Sequence, residues 1–178
     1  EGEAFTEWFE DLNGNNKWNA QDTVLVAPGR YYENVVFAPK PSLVVISEAY
    51  YFDNATTKKM YMDSTIIDGG GIDSSSFYIN SSGVDAQVLI YGFTFQNGRS
   101  QDGGGIKITD SNVKIKQTRI YNNLLLGGDG GGIYISGNSN VDIINTVIEF
   151  NRAPIGTGNG GGLYVGVNSS SNIISLKN

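Results

Sequence analysis

The chain contains no histidine and no cysteine, which excludes imidazole bases, thiolate nucleophiles, disulfides and the usual zinc ligands together. Any chemistry falls to carboxylates, lysine, arginine and tyrosine, and three groupings of those residues stand out. Asp11, Asn13, Asn15, Lys17, Asn19 and Asp22 occupy positions 1, 3, 5, 7, 9 and 12 of one polar loop. At that spacing side-chain oxygens, joined by the Lys17 carbonyl, close an oxygen cage of the size calcium prefers. An Asn-rich turn whose side chains satisfy their own backbone would use the same residues. A second, weaker metal site is Asp102 with Asp129, which stand at equivalent places in consecutive repeats, followed by Asn159. Stacked carboxylates repel by about 1 kcal/mol in water and by a few kcal/mol in a less polar setting, so a bound cation or a raised pKa would relieve them. Calcium there would neutralise a uronate carboxylate while Lys107 or Arg99 abstracted the C5 proton, which is the chemistry of a polysaccharide lyase. The third grouping is Tyr78, Lys107, Tyr134 and Tyr164, a candidate ligand-binding row of flat rings and one cation suited to sugar rings and to a uronate or sulfate. Tyrosine is also favoured on strand surfaces for its own sake.

What must position these groups is a repeat. Asp102-Gly-Gly-Gly-Ile106-Lys-Ile108, Asp129-Gly-Gly-Gly-Ile133-Tyr-Ile135 and Asn159-Gly-Gly-Gly-Leu163-Tyr-Val165 recur at steps of 27 and 30 residues. Between them Val113-Lys-Ile115, Thr118, Ile120, Asn123 returns 28 positions later as Val141-Asp-Ile143, Thr146, Ile148, Asn151. Two phrases at nearly one period imply one solenoid turn per repeat. Alternation then places Phe77, Ile106, Ile133 and Leu163 in one inner column, with Ile79, Ile108, Ile135 and Val165 beside it. Val88, Val113 and Val141 form a third column, and Phe95, Ile120 and Ile148 a fourth. Asn123 and Asn151 fall where a strand ends, and their amides are expected to bond backbone groups that the bend leaves unpaired. Lys114, Lys116 and Arg119 lie outside one turn, with Asp142 and Glu149 in the next, a pattern expected of a charge ladder between strands.

The 178 residues suit one domain or a piece of a longer solenoid, and 24 glycines in recurring turn positions separate this chain from aperiodic low-complexity sequence. A net charge of −6 disfavours binding to a phosphate backbone. No apolar run approaches the roughly 20 residues of a membrane-spanning helix.

Residues 1–22 read as an N-terminal cap. Phe5, Trp8, Phe9 and Leu12 share one helical face, giving a short helix over 3–10 that would cover an open solenoid end, followed by the Asp11 to Asp22 loop. Residues 23–178 form the solenoid, expected to continue past Asn178. Strands are expected at Thr23 to Ala27, Tyr32 to Phe37 and Ser42 to Ser47. Residues 48–63 have no counterpart in later turns, and their aromatic side chains suggest a flap on the solenoid wall.

Thr23-Val-Leu-Val-Ala-Pro-Gly29 with Tyr31-Tyr-Glu-Asn34 and Thr65-Ile-Ile-Asp-Gly-Gly70 resembles the first turns of secreted, right-handed parallel β-helix proteins of the pectin-lyase-like fold. Gly-Gly-Gly-Ile with a later Ile-x-x-Asn (Ile120 to Asn123, Ile148 to Asn151) is similar to the repeats of polymorphic outer-membrane autotransporters, with Ile in place of Phe. The Asp11 to Asp22 loop resembles EF-hand and dockerin calcium loops, with Asn16 for the turn glycine and Asp22 for the closing glutamate. The resemblance implies an all-β, right-handed parallel β-helix of about five turns with a short capping helix. It is unspecific for activity, since that fold carries lyases, hydrolases, adhesins and passive stalks. The expectation is therefore a non-catalytic, secreted or cell-surface module for adhesion, display or glycan contact, with calcium as its cofactor and end-to-end self-association as one further partnership. The alternative is a calcium-assisted polysaccharide lyase or related carbohydrate-active enzyme.

Overall fold

The computed structural model describes residues 23–37, 43–71, 73–80, 87–154, 156 and 158–166, and the backbone of a strand at 173–177. The capping helix over 3–10 and the whole Asp11 to Asp22 loop lie outside the described residues. The chain is an all-β parallel solenoid. It begins with β1 (Thr23–Val26), β2 (Gly29–Tyr32) and β3 (Val35–Phe37), and each later circuit lays its strands on these. The second circuit is β4 (Leu43–Ser47), β5 (Thr65–Asp68) and β6 (Phe77–Asn80), and the third is β7 (Gln87–Tyr91), β8 (Thr94–Gln96), β9 (Arg99–Ser100) and β10 (Ile106–Thr109). The fourth repeats that plan with β11 (Asn112–Lys116), β12 (Arg119–Tyr121), β13 (Leu124–Leu125) and β14 (Ile133–Ser136). Next come β15 (Asn140–Ile144), β16 (Val147–Glu149) and β17 (Leu163–Val165), and β18 (Ile173–Lys177) starts a further turn.

Three parallel sheets result. The first orders β1-β4-β7-β11-β15-β18, the second β2-β5-β8-β12-β16 and the third β3-β6-β10-β14-β17, and β9 pairs β13 in a small fourth. All four inner columns expected from alternation are in register: Phe77, Ile106, Ile133 and Leu163 are Cα partners in sequence, and so are Ile79, Ile108, Ile135 and Val165. Ile106, Ile108, Ile133 and Ile135 are fully buried. Burying a Val, Leu, Ile or Phe side chain contributes about 1.5 to 3 kcal/mol, and these columns run through the interior as one continuous cluster.

The glycine triplets have a steric cause. Gly130 sits at φ 72, a left-handed conformation that glycine adopts without a Cβ clash. A Cβ on Gly131 would come within 2.6 Å of the Gly161 carbonyl one turn on, so only glycine lets the turns stack there. The corner asparagines do what their spacing implies. Asn123 is fully buried. Its Nδ2 donates to the Phe95 carbonyl at 3.2 Å and to Asn151 Oδ1 at 2.9 Å, while its Oδ1 accepts from the Gly98 N–H at 2.9 Å. Asn151 Nδ2 donates to the Ile120 carbonyl at 2.8 Å. Asn34 ties the first circuit to the second through the Ser75 carbonyl at 3.0 Å.

Three features go beyond these expectations. The strand expected from Tyr32 to Phe37 is two, divided at Glu33 and Asn34 because the chain turns a corner there between sheets. The stretches before the first two Gly triplets are partly ordered as β9 and β13, with Leu125 buried. The 48–63 insertion is a flap, as expected, yet it is helical: a short 3-10 turn (Glu48–Tyr51) followed by α1 (Ala55–Ser64). Asn54 caps α1, its Oδ1 accepting from the Thr56 and Thr57 N–H groups. The flap packs outside the first sheet, where Ile46 and Tyr91 point away from the solenoid and are nevertheless buried with Ala49. Tyr50 meets Tyr91 edge-on at 5.3 Å and Phe52 stacks on Tyr61 at 4.6 Å.

Candidate functional site

The third sheet presents the tyrosine row outward. Strand register makes Lys107 the partner of both Tyr78 and Tyr134, and Tyr134 the partner of Tyr164. All four side chains are half-buried. The Lys107 ammonium lies 5.8 Å from the Tyr78 ring centre and 5.5 Å from that of Tyr134, so one cation sits between two aromatic faces. Tyr134 and Tyr164 are nearly parallel, 10° apart with centres at 5.6 Å. The rings of Tyr134 and Tyr164 therefore lean on one another along the solenoid axis, and the Tyr78 hydroxyl accepts from Asn80 Nδ2 at 3.2 Å. This differs from a row of free flat faces: the rings and the lysine set among them are already in contact with one another.

Asp102 and Asp129 line the approach to that row from the loops before the Gly triplets. Neither carboxylate is idle. Asp102 Oδ2 accepts from Lys107 Nζ at 3.3 Å and its Oδ1 accepts from the Asp129 N–H at 3.1 Å. Asp129 Oδ1 accepts from the Asn159 N–H at 2.7 Å and from Asn159 Nδ2 at 3.0 Å. Repulsion between stacked acids is thus answered by Lys107 and by the backbone N–H of the following turn. Among the described residues no three or more His, Cys, Asp or Glu side chains gather at one place, and both oxygens of Asp102 are taken by donors of the protein itself. The Asp129 charge, with some burial, raises the pKa of the Tyr164 phenol above its ordinary value.

The two candidate proton abstractors are both turned to carboxylates. Lys107 pairs with Asp102, and Arg99 stands 3.7 Å from Asp73. For Lys107 to reach a substrate C–H it would have to leave Asp102 and two ring faces at once. The expected charge ladder is present between circuits: Lys114 lies 3.8 Å from Asp142, and Arg119 Nε donates to Glu149 Oε1 at 2.7 Å while its guanidinium covers Tyr121 at 4.2 Å.

One polar centre escaped sequence reasoning. Asp68 is buried on the outward side of β5, where it accepts from Gln96 Nε2 at 2.9 Å, the Gly70 N–H at 2.9 Å, Arg30 Nε at 2.8 Å and Asn97 Nδ2 at 2.8 Å. Burial alone would push this carboxyl up, but the donors outweigh it and its pKa lies below the ordinary value. Register could have pointed to Gln96, the Cα partner of Asp68, but not to Arg30, which is the partner of Ile66 and reaches Asp68 from two residues away.

These features define a parallel β-helix with an ordered outward face of tyrosines and one lysine. No known protein family, curated protein or solved structure matches the chain.

Proposed function

We propose that the protein is a non-catalytic β-helix module of the pectin-lyase-like, surface-repeat kind, secreted or displayed at a cell surface, whose third sheet contacts glycans. The observation that carries this reading is the Tyr78, Lys107, Tyr134 and Tyr164 file. Its members are held by mutual stacking, so little side-chain freedom is lost when a ligand docks. Phenol hydroxyls at successive strands offer donors and acceptors at the strand spacing of about 4.8 Å, and an extended saccharide laid along the axis would meet several together. Adhesion or display follows from repetition of such weak contacts.

The lyase alternative requires Lys107 or Arg99 as base, and the pairing of both with aspartates supports the non-catalytic reading over it. A glycan-array screen run beside an ultraviolet assay for unsaturated uronate products decides between them. The expected result is retained glycan that is released by Tyr134→Ala or Tyr164→Ala, with no absorbance rise. Unsaturated product that disappears in Lys107→Ala would overturn the proposal.

A further inference from the structure

Three Asn-Gly pairs stand in the sequence, at residues 13–14, 97–98 and 159–160. In such a pair the glycine nitrogen is placed to attack the asparagine side-chain carbonyl carbon, since glycine has no Cβ to hinder the approach and its backbone reaches conformations closed to other residues. The first pair lies outside the described residues. The fold treats the other two in opposite ways.

Asn97-Gly98 is locked. Gly98 is buried and its N–H donates to Asn123 Oδ1 at 2.9 Å. A Cβ there would lie 1.9 Å from the Gly104 carbonyl oxygen, so the packed backbone has no room to swing. Both ends of the Asn97 amide are committed, Nδ2 to Asp68 Oδ2 at 2.8 Å and Oδ1 to Asn122 Nδ2 at 2.8 Å. Attack by the Gly98 nitrogen must wait until these bonds open together. Asn159-Gly160 is exposed at both residues. The nitrogens at the same place in the two earlier triplets are tied down, Gly103 N–H to the Asp129 carbonyl at 3.0 Å and Gly130 N–H to the Asn159 carbonyl at 2.9 Å. The Gly160 N–H makes no hydrogen bond among the described residues. Among those residues the Asn159 side chain is held only through Nδ2, which donates to Asp129 Oδ1 at 3.0 Å.

We infer that Asn159 is a site of spontaneous modification, at which water converts the amide into aspartate or isoaspartate where the two earlier repeats carry Asp102 and Asp129. The Gly160 nitrogen bonds to Asn159 Cγ and gives up its proton to solvent. The Cγ–Nδ2 bond breaks, the departing nitrogen takes a proton and leaves as ammonia, and a five-membered succinimide remains. Water then opens the ring. Cleavage between Cγ and the Gly160 nitrogen gives aspartate, and cleavage between the Asn159 carbonyl carbon and that nitrogen gives isoaspartate, with the chain rerouted through the side chain. One amide and one water become one carboxylic acid and one ammonia, and nothing is oxidised or reduced. The product replaces the donor that Asp129 Oδ1 holds with a second carboxylate, and like charges so placed repel. Isoaspartate also takes out of the backbone the carbonyl to which Gly130 N–H donates. Either product loosens the last described circuit from the fourth. The inference does not depend on any glycan contact.

The test incubates the full chain, as wild type and Asn159→Gln, folded at pH 8 and at pH 5, with a parallel wild-type sample unfolded in urea. Peptide mass mapping and enzymatic methylation of isoaspartate follow residues 97 and 159 separately. In the folded wild type, acid should accumulate at residue 159 about tenfold or more faster than at residue 97, because only the second site waits on local opening. The reaction should be faster at pH 8, where the attacking nitrogen loses its proton more readily, and the two rates should converge in urea. Asn159→Gln keeps an amide but closes only a six-membered ring, so it should stay unmodified at that position. Asn159→Asp, the product made directly, should melt below wild type, by a margin that narrows in high salt. Equal rates at residues 97 and 159 in the folded protein would overturn the inference. A difference that persists in urea would overturn it too, since local sequence and not the fold would then set the rates. Equal melting of wild type and Asn159→Asp would overturn the loosening of the last circuit.

Discussion

Replacing Ile133 by alanine tests the inside/outside assignment at its centre. Ile133 is fully buried, with Ile106 on one side and Leu163 on the other in the same column. Truncations of this kind cost about 2 to 5 kcal/mol, the larger values where surroundings cannot collapse into the void. Collapse is resisted here. The backbone beneath Ile133 is fixed by the Gly131, Gly132 and Ile133 N–H groups donating to Gly160, Gly161 and Gly162 carbonyls of the next turn. A Cβ at Gly132 would already lie 2.5 Å from the Gly162 carbonyl, so the layers cannot slide closer. The cost should therefore fall in the upper half of the range, about 3.5 to 5 kcal/mol. Tyr134→Ala, one residue along and facing outward, loses one parallel ring contact and one cation contact, about 1 to 2 kcal/mol together. Urea titration followed by circular dichroism measures both. A solenoid is stabilised turn by turn, so the Ile133 variant should also broaden or split the transition. Equal losses in the two variants would refute the assignment of Ile133 to the interior.

Asp68 carries a pH prediction. Its folded pKa is depressed, so its stabilisation is fully present above the unfolded carboxyl value of about 3.9 and is lost as pH falls through the lower folded value. Asp68→Asn should destabilise the protein at pH 7 and flatten the acid limb of a stability-versus-pH curve; an unchanged acid limb would remove Asp68 from that role. Asn123→Ala leaves the buried Gly98 N–H and Phe95 carbonyl without their partner and should cost more than about 2 kcal/mol, whereas Asn122→Ala, exposed and bonded to Asn97 Oδ1, should cost only about 1 kcal/mol by the same denaturant assay, for the left-handed φ of 52 that asparagine tolerates better than alanine. For the Asp11 to Asp22 loop, millimolar calcium should raise the melting temperature of wild type over that in chelator and leave Asp11→Ala unmoved. Equal behaviour of the two proteins would make the loop an ordinary Asn-rich turn.

What could be read from the sequence was whatever a parallel solenoid repeats. Period-two alternation and the recurring Gly triplets fix which side chains stack, and the columns of Phe77, Val88, Phe95 and Ile79 follow without any knowledge of their partners. Features occurring once were not legible. The flap helix carries Thr56, Thr57, Lys58 and Lys59 in its first turns, without an apolar stripe. Its burial comes from Ile46 and Tyr91, outward residues of two other strands. The carboxylate of Asp68 is likewise satisfied from Arg30, 38 residues before it, and Gln96, 28 residues after. No local window contains those distances.

The candidate site was half-legible for a related reason. Alternation states correctly that Tyr78, Lys107, Tyr134 and Tyr164 face outward together, but it cannot state whether they face a ligand or each other. In a parallel stack every outward residue has a neighbour one strand spacing away on either side, and opposite charges or rings at that spacing attract. Pairing is therefore the default fate of an outward group: Lys107 meets Tyr78 and Tyr134, Lys114 meets Asp142, Arg119 meets Glu149 and Tyr134 meets Tyr164. On such a scaffold the row's own cohesion accounts for its placement, and what a ligand would use is the order that this cohesion imposes. A second signal is a group that the ladder leaves over. Lys116 is such a group: its cross-strand partners are Tyr91 on one side and Ile144 on the other, so neither neighbouring strand offers it a carboxylate.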